Sequence, residues 1–168
     1  ISNNIRIIAI TDHNTFSGIN YIRELLKDKN VSEKYNELLI LCGIEITCFS
    51  KHLIAIFPND FDEEKQKFFL NEIGIDSSAE GSEDSLADNL GPSLLINKIS
   101  EYGGFSILAH ADSNNGFLQN LCTTGSTPSE ISISGKSLAK IIKSPSLVEI
   151  QCKNVTNKDK LIEKLHNQ

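Results

Sequence analysis

Five short apolar runs, with helical spacing between several of them, dominate the pattern of hydrophobic positions along the chain. The first run, residues 5–11, is nearly continuous and rich in β-branched side chains, which is typical of a strand covered on both faces. Further strands are predicted at 38–45, 52–57, 105–109 and 147–151. Strands separated by helices predict parallel β/α units and therefore an α/β fold.

The segment from residue 59 to residue 90 differs in composition from the rest of the chain. It holds ten acidic residues against two lysines. Its apolar residues predict a helix at 63–73, whereas the stretch 77–89 cannot bury enough apolar surface to offset the entropy of ordering. We therefore expect one domain over residues 1–168, with an acidic, exposed and mobile insertion at about 59–90.

Composition and charge exclude several classes of protein. With 168 residues, 39% hydrophobic and 23% charged, the chain is long enough for one core and is not disordered throughout. The net charge of −6 provides no general electrostatic attraction to nucleic acid or to an anionic membrane. The apolar runs are far shorter than the roughly 20 residues that span a bilayer. Four cysteines without a C-x-x-C pair indicate free thiols in the cytoplasm.

Three of the four histidines lie where predicted strands begin or end. His13 follows the first strand and His110 follows the fourth. His52 opens the third strand, and Glu45 ends the second. Because functional groups collect at the carboxyl ends of strands in parallel β/α folds, we expect His13, Glu45 and His110 to converge. Imidazole and carboxylate groups are ligands of zinc, manganese and iron, so the pattern predicts a divalent-metal site.

Each of these residues also has a simpler interpretation. A single histidine after a strand can be a loop residue with ordinary hydrogen bonds, and His52 can be a surface residue beside Lys51. Asp12 can cap the helix that follows it. Glu45 ends an apolar run, where an unpaired carboxylate is costly, so it needs a partner. The joint occurrence of three histidines and a glutamate at strand ends favours the metal site.

Four short segments resemble motifs of the PHP family, the polymerase and histidinol phosphatase metal-dependent phosphoesterases. The segment 8–15 contains the Thr-Asp-His with which a strand of the family ends, and 43–47 looks like the family's Gly-Ile-Glu motif. His52 is similar to the histidine that opens the next strand, and 103–110 resembles a later motif in which a strand ends in a histidine ligand. The order agrees over residues 5–112. The family's opening H-x-H motif and closing D-x-H motif are absent.

The resemblance implies a fold, a metal site and an activity. The chain would be part of a distorted, TIM-like (β/α)7 PHP barrel whose complete site holds two or three zinc, manganese or iron ions. Asp12 would be catalytic, orienting His13 or a metal-bound water. The implied reaction is hydrolysis of a phosphate ester, either a small molecule or a nucleic-acid end. The remaining residues carried over from the family would be metal ligands, namely His13, Glu45, His52 and His110.

The resemblance also implies partners and leaves two alternatives open. The finer likeness is to PHP domains of the ATPase-fused TrlF type, which implies a fused ATPase domain and nucleic acid contacted by other parts of the full protein. One alternative is a catalytically inactive PHP module with a structural or regulatory role in such an ATPase-containing protein. The other is a single-metal amidohydrolase-like enzyme, although its metal-bridging lysine cannot be placed here. Without the two missing motifs, we expect the chain to bind at most one ion weakly and to show little activity.

Overall fold

A computed structural model describes residues 5–76, 78, 80–82, 87, 90–123, 126–133 and 135–166. The strands in this part of the chain are β1 (Ile7–Ile10), β2 (Leu39–Cys48), β3 (Lys51–Phe57), β4 (Phe105–Leu108), β5 (Ser132–Ile133), β6 (Lys136–Ser137) and β7 (Leu147–Ile150). The helices are α1 (Ser17–Leu25), α2 (Lys29–Lys34), α3 (Glu63–Ile73), α4 (Gly91–Glu101), α5 (Gln119–Thr123), α6 (Leu138–Ile142) and α7 (Val155–His166).

Five of the strands form one mixed sheet in the order β1-β2-β3-β4-β7. β1 pairs in parallel with β2, and β4 pairs in parallel with β7. The central strand β3 is antiparallel to both of its neighbours, β2 and β4. β5 and β6 form a separate antiparallel pair. Because β1 and β7 are the two edges of the sheet, the described strands form an open sheet.

The prediction of a (β/α)7 barrel, which the PHP resemblance implied, is wrong for the described part of the chain. A barrel of parallel β/α units needs a crossover between neighbouring strands, but β2 and β3 are joined by Phe49 and Ser50 alone. Both residues have positive φ, 51° and 55°, as a tight hairpin turn requires. The fold mixes helices and strands as expected, but its sheet is mixed and open.

The bounds of β2 and α3 bear on two predictions, the position of Glu45 and the insertion at about 59–90. β2 continues to Cys48, so Glu45 lies inside this strand and not at its end as predicted. The helix predicted at 63–73 coincides with α3, which begins at the side-chain cap of Asp62 and ends at Gly74 with φ 87°. Within the predicted mobile stretch, Ala87 is buried. Residues 77, 79, 83–86, 88 and 89 lie outside the described residues.

The hydrophobic core lies against one face of the sheet and extends to the loop that carries His13. An aromatic cluster connects this loop to α3, with ring centroids between 4.1 and 6.3 Å apart. Aromatic pairs at such distances stabilise a core beyond the area that they bury. The cluster therefore fixes the loop between β1 and α1 against the core face of the sheet. Its members are Phe16, Phe57, Phe61 and Phe69.

Two further features are the character of the helices with respect to a membrane and the state of the cysteines. Of the helices in the described ranges, none combines the length and the apolar character needed to cross a membrane. All four cysteines are free thiols, with Cys42 and Cys48 buried. Burial raises the pKa of the Cys42 thiol, which keeps it protonated and unreactive near neutral pH.

Candidate metal centre

The four predicted ligands converge at one end of the sheet. His13 follows β1 and forms an isolated parallel bridge with Glu45. His52 is the second residue of β3, and His110 comes two residues after the end of β4. Because β3 runs antiparallel to its neighbours, its first residues lie at the same end of the sheet as the last residues of β2 and β4.

Glu45 Oε1 is the common point of contact in this cluster. It lies 3.0 Å from His52 Nδ1, 3.2 Å from His110 Nε2 and 3.5 Å from His13 Nε2. His52 Nδ1 and His110 Nε2 are also 3.0 Å apart. The convergence expected for His13, Glu45 and His110 is therefore observed, whereas their role as metal ligands stays a prediction.

The spacing of His13, Glu45 and His52 fits a single divalent ion, because their ligand atoms all lie within 4.8 Å of one another. Ligand atoms about 2.0–2.1 Å from a tetrahedral zinc ion lie about 3.3–3.4 Å from one another. The separations around Glu45 Oε1 bracket that value, at 3.0 to 3.5 Å. His13 Nε2 is buried without a hydrogen-bond partner, a costly state for a polar atom that a bound ion would relieve. Three imidazoles and one carboxylate suit zinc, manganese or iron.

The electrostatics of the cluster keep His52 in the form that binds metal. Removal from water lowers the pKa of His52, and the Glu45 carboxylate opposes this effect. The neighbouring imidazoles of His13 and His110 lower the pKa further. His52 is therefore neutral near pH 7, and a neutral imidazole is the form that coordinates a divalent ion.

Ser113 fixes the tautomer of His110. Its Oγ donates to the His110 carbonyl oxygen at 2.8 Å, so it accepts from His110 Nδ1 at 2.7 Å. The imidazole proton is thereby placed on Nδ1, and the lone pair is left on Nε2, the atom beside Glu45. Gln151 Oε1 accepts from the His110 backbone N–H at 3.0 Å. These contacts hold His110 at φ 29°, a conformation that is strained for a residue other than glycine.

Asn14 attaches the loop carrying His13 to β2. Its backbone N–H donates to Glu45 O at 2.8 Å, and Glu45 N–H donates to Asp12 O at 2.9 Å. The buried Asn14 side chain accepts from Thr47 N–H at 2.9 Å and donates to Thr47 Oγ1 at 3.2 Å. Asn14 has φ 52°, a left-handed conformation that asparagine tolerates better than most residues. These contacts set the distance between His13 and Glu45.

The Asp12 carboxylate contacts the neighbouring helix. Its Oδ2 accepts from the backbone N–H of Gly18, in the first turn of α1, at 2.7 Å. A Cβ atom at Gly18 would overlap this carboxylate, which explains the glycine at this position. The contact agrees with the alternative interpretation of Asp12 as a helix cap. A catalytic role for Asp12 stays a prediction.

A cleft of about 560 Å³ opens beside His52 and His110. Its remaining wall is formed by Ser113, Asn114, Asn115 and Lys153. The wall is attached to β3, because Asn115 O accepts from His52 N–H at 3.0 Å. His52 and His110 thus face a space large enough for a small substrate.

Several residues of the site were not identified from the sequence. Asn14 and Ser113 act through hydrogen bonds that only the folded loops create, and no sequence pattern marks them. Gln151 is the last residue of the predicted strand 147–151 and Lys153 lies two residues after it, so the carboxyl-end rule that selected His13 could also have selected them.

The sequence matches no protein-family model, and it matches none of the curated proteins with which it was compared. The likeness to the PHP family therefore rests on the four short motifs, and membership of that family stays a proposal.

Proposed function

We propose that this chain provides a divalent-metal centre for the hydrolysis of a phosphate ester. The observation that carries the proposal is the approach of three imidazole nitrogens to Glu45 Oε1 within 3.5 Å, beside an open cleft. Neutral imidazoles and one carboxylate leave a divalent ion with excess positive charge, which attracts an anionic phosphate group. A bound ion would supply Lewis acidity and a water of lowered pKa.

The residues of the chain have separate tasks in this proposal. His13, Glu45, His52 and His110 hold the ion. Ser113 keeps the His110 proton on Nδ1, and Asn14 keeps the His13 loop against β2. The PHP-like motifs support a phosphate ester as the substrate and Asp12 as a catalytic residue. The free cysteines support a cytoplasmic location.

The proposal is tested by removing metal with a chelator and adding back zinc, manganese or iron. Elemental analysis should find about one ion per chain, as expected for a single set of four donors. Release of phosphate from p-nitrophenyl phosphate is measured with the 168-residue chain and with the natural protein where it is longer. His110→Ala should lose both the ion and phosphate release, whereas His166→Ala, at the last position of α7, should lose neither.

Two results would contradict the proposal. Full metal occupancy in the His110→Ala variant would show that the ion binds elsewhere. A bound ion without phosphate release in either form of the wild-type protein would exclude the enzyme and favour the structural or regulatory module.

A further inference from the structure

One lysine lies on the wall of the cleft beside the candidate metal centre. The described residues that line this cleft are His52, His110, Ser113, Asn114, Asn115 and Lys153. Lys153 alone among them carries a full positive charge at neutral pH. It is exposed, and no carboxylate of the described residues forms an ion pair with it. Its ammonium group is therefore available to an anion that enters the cleft.

Hydrogen bonds fix the backbone of Lys153 relative to His110. Ala111 N–H donates to Gln151 O at 2.6 Å, which ties the segment after β4 to the segment after β7. Asp112 Oδ1 accepts from Lys153 N–H at 2.8 Å, and Asp112 Oδ2 accepts from Asn154 N–H at 3.0 Å. Both carboxylate oxygens of Asp112 thus bind backbone amides, and the base of the Lys153 side chain has a defined position beside the site.

We propose that Lys153 binds a phosphoryl oxygen of the ligand in this cleft and makes the site selective for phosphate monoesters. The inference rests on the proposed function, because it takes a metal-bound phosphate ester as the ligand. A divalent ion, the Glu45 carboxylate and the Lys153 ammonium together balance the two negative charges that a monoester approaches at neutral pH. A diester has a single negative charge and gains less from the lysine.

The chemistry of the other wall residues supports Lys153 as the group that binds the anion. The Ser113 hydroxyl is engaged with His110, and the Asn114 side chain accepts from Gln119 at 2.9 Å. Lysine is a compact cation that attracts phosphate without the planar geometry that arginine imposes. In this proposal the cleft recognises its ligand by charge, through the bound ion and through Lys153.

The first test measures the binding of inorganic phosphate by isothermal titration calorimetry, with and without zinc. Lys153→Gln should weaken phosphate binding by about ten-fold or more, as expected for the loss of a charge-assisted hydrogen bond. Lys153→Arg should keep most of the affinity, and Lys140→Gln, at an exposed position of α6, is the matched control. Zinc stoichiometry should be the same in all variants, because Lys153 is not a ligand of the ion.

The second test compares p-nitrophenyl phosphate with bis(p-nitrophenyl) phosphate as substrates. Lys153→Gln should raise KM for the monoester more than for the diester. Unchanged phosphate affinity in Lys153→Gln, in both the zinc-loaded and the metal-free chain, would overturn the anion site. Equal effects on the two substrates would overturn monoester selectivity. Failure of the wild-type chain to bind zinc would instead count against the proposed metal centre, so the two failures are distinguishable.

Discussion

His52 Nδ1 lies 3.0 Å from Glu45 Oε1, although Glu45 is in the middle of β2 and His52 begins β3. The antiparallel register explains the contact. Thr47 pairs directly with His52, and Glu45 is two residues before Thr47, so Glu45 and His52 are diagonal neighbours on one face. A shift of one residue in this register would turn His52 to the opposite face of the sheet. The site therefore depends on the hairpin between β2 and β3.

Replacing Glu45 by glutamine should remove most of the metal affinity. Glu45 contributes the one negative charge of the cluster, and its Oε1 contacts all three imidazoles. Loss of a residue that only hydrogen-bonds a metal ligand typically costs about 10- to 100-fold in metal affinity. Loss of the charged ligand Glu45 itself should therefore cost about 100-fold or more. Competition with a chromogenic chelator measures the effect for zinc. Glu149→Gln, exposed on β7, is the control, and equal zinc affinity in both variants would contradict the metal centre.

Ser113→Ala should weaken metal binding without removing a ligand. The substitution releases His110 Nδ1, so the proton can move to Nε2 and occupy the lone pair. We expect a loss of about 10- to 100-fold in zinc affinity, as is usual for residues that orient a ligand. Nitrogen-15 NMR of the imidazole should show loss of the Nδ1–H tautomer. Ser113→Thr should retain both properties, and exposed Ser100→Ala should behave as wild type. An unchanged His110 tautomer in Ser113→Ala would show that Ser113 does not control it.

Substitutions of Asp12 should separate its capping role from a catalytic one. Asp12→Ala removes the acceptor for Gly18 N–H and should lower the free energy of unfolding by about 1 kcal/mol. Asp12→Asn keeps an oxygen acceptor and should retain most of that stability. Urea denaturation measures the stability of both variants. If Asp12 is catalytic, as the PHP resemblance implies, both variants should lose phosphate release. Full activity in Asp12→Asn would restrict Asp12 to capping α1.

Tyr102 should make the stability of the fold depend on alkaline pH. Burial raises the pKa of Tyr102 to about 12, and its hydrogen bond to Glu72 at 2.8 Å acts in the same direction. In the unfolded chain the same hydroxyl ionises near its ordinary value of 10. The pKa of Tyr102 is therefore higher in the folded chain than in the unfolded one. The stability that the protonated Tyr102 hydroxyl contributes is fully present below about pH 10 and is lost as the pH rises through about 12.

The comparison of wild type with Tyr102→Phe isolates this effect, because phenylalanine does not ionise. The difference in urea midpoint between the two proteins should shrink as the pH rises from 10 towards 12. Tyr21→Phe, at a side chain that is 65% exposed, is the matched control. A constant difference between wild type and Tyr102→Phe across this range would show that Tyr102 titrates alike in the folded and unfolded chains.

The sequence by itself determined the local elements and the chemical types of the site residues. α3 was predicted with its observed bounds, and the structure shows that Asp62 and Gly74 cap its ends through local backbone chemistry. His13 and His110 were selected because each follows a strand that could be identified from its apolar run. Such signals are local in the chain, so they can be interpreted without knowing the fold.

Tertiary structure alone decided the direction of the strands and the contacts between distant loops. β3 is antiparallel to its neighbours but has a continuous apolar run, like a buried parallel strand. In addition, Phe49 and Ser50 lack the glycine or asparagine that usually marks a two-residue hairpin. The hairpin was therefore missed, and with it the reason why His52 joins the site. The bonds from Asn14 to Thr47 and from Gln151 to His110 join residues 33 and 41 positions apart. Only the folded sheet brings such residues together, because their contact depends on strand order and not on local pattern.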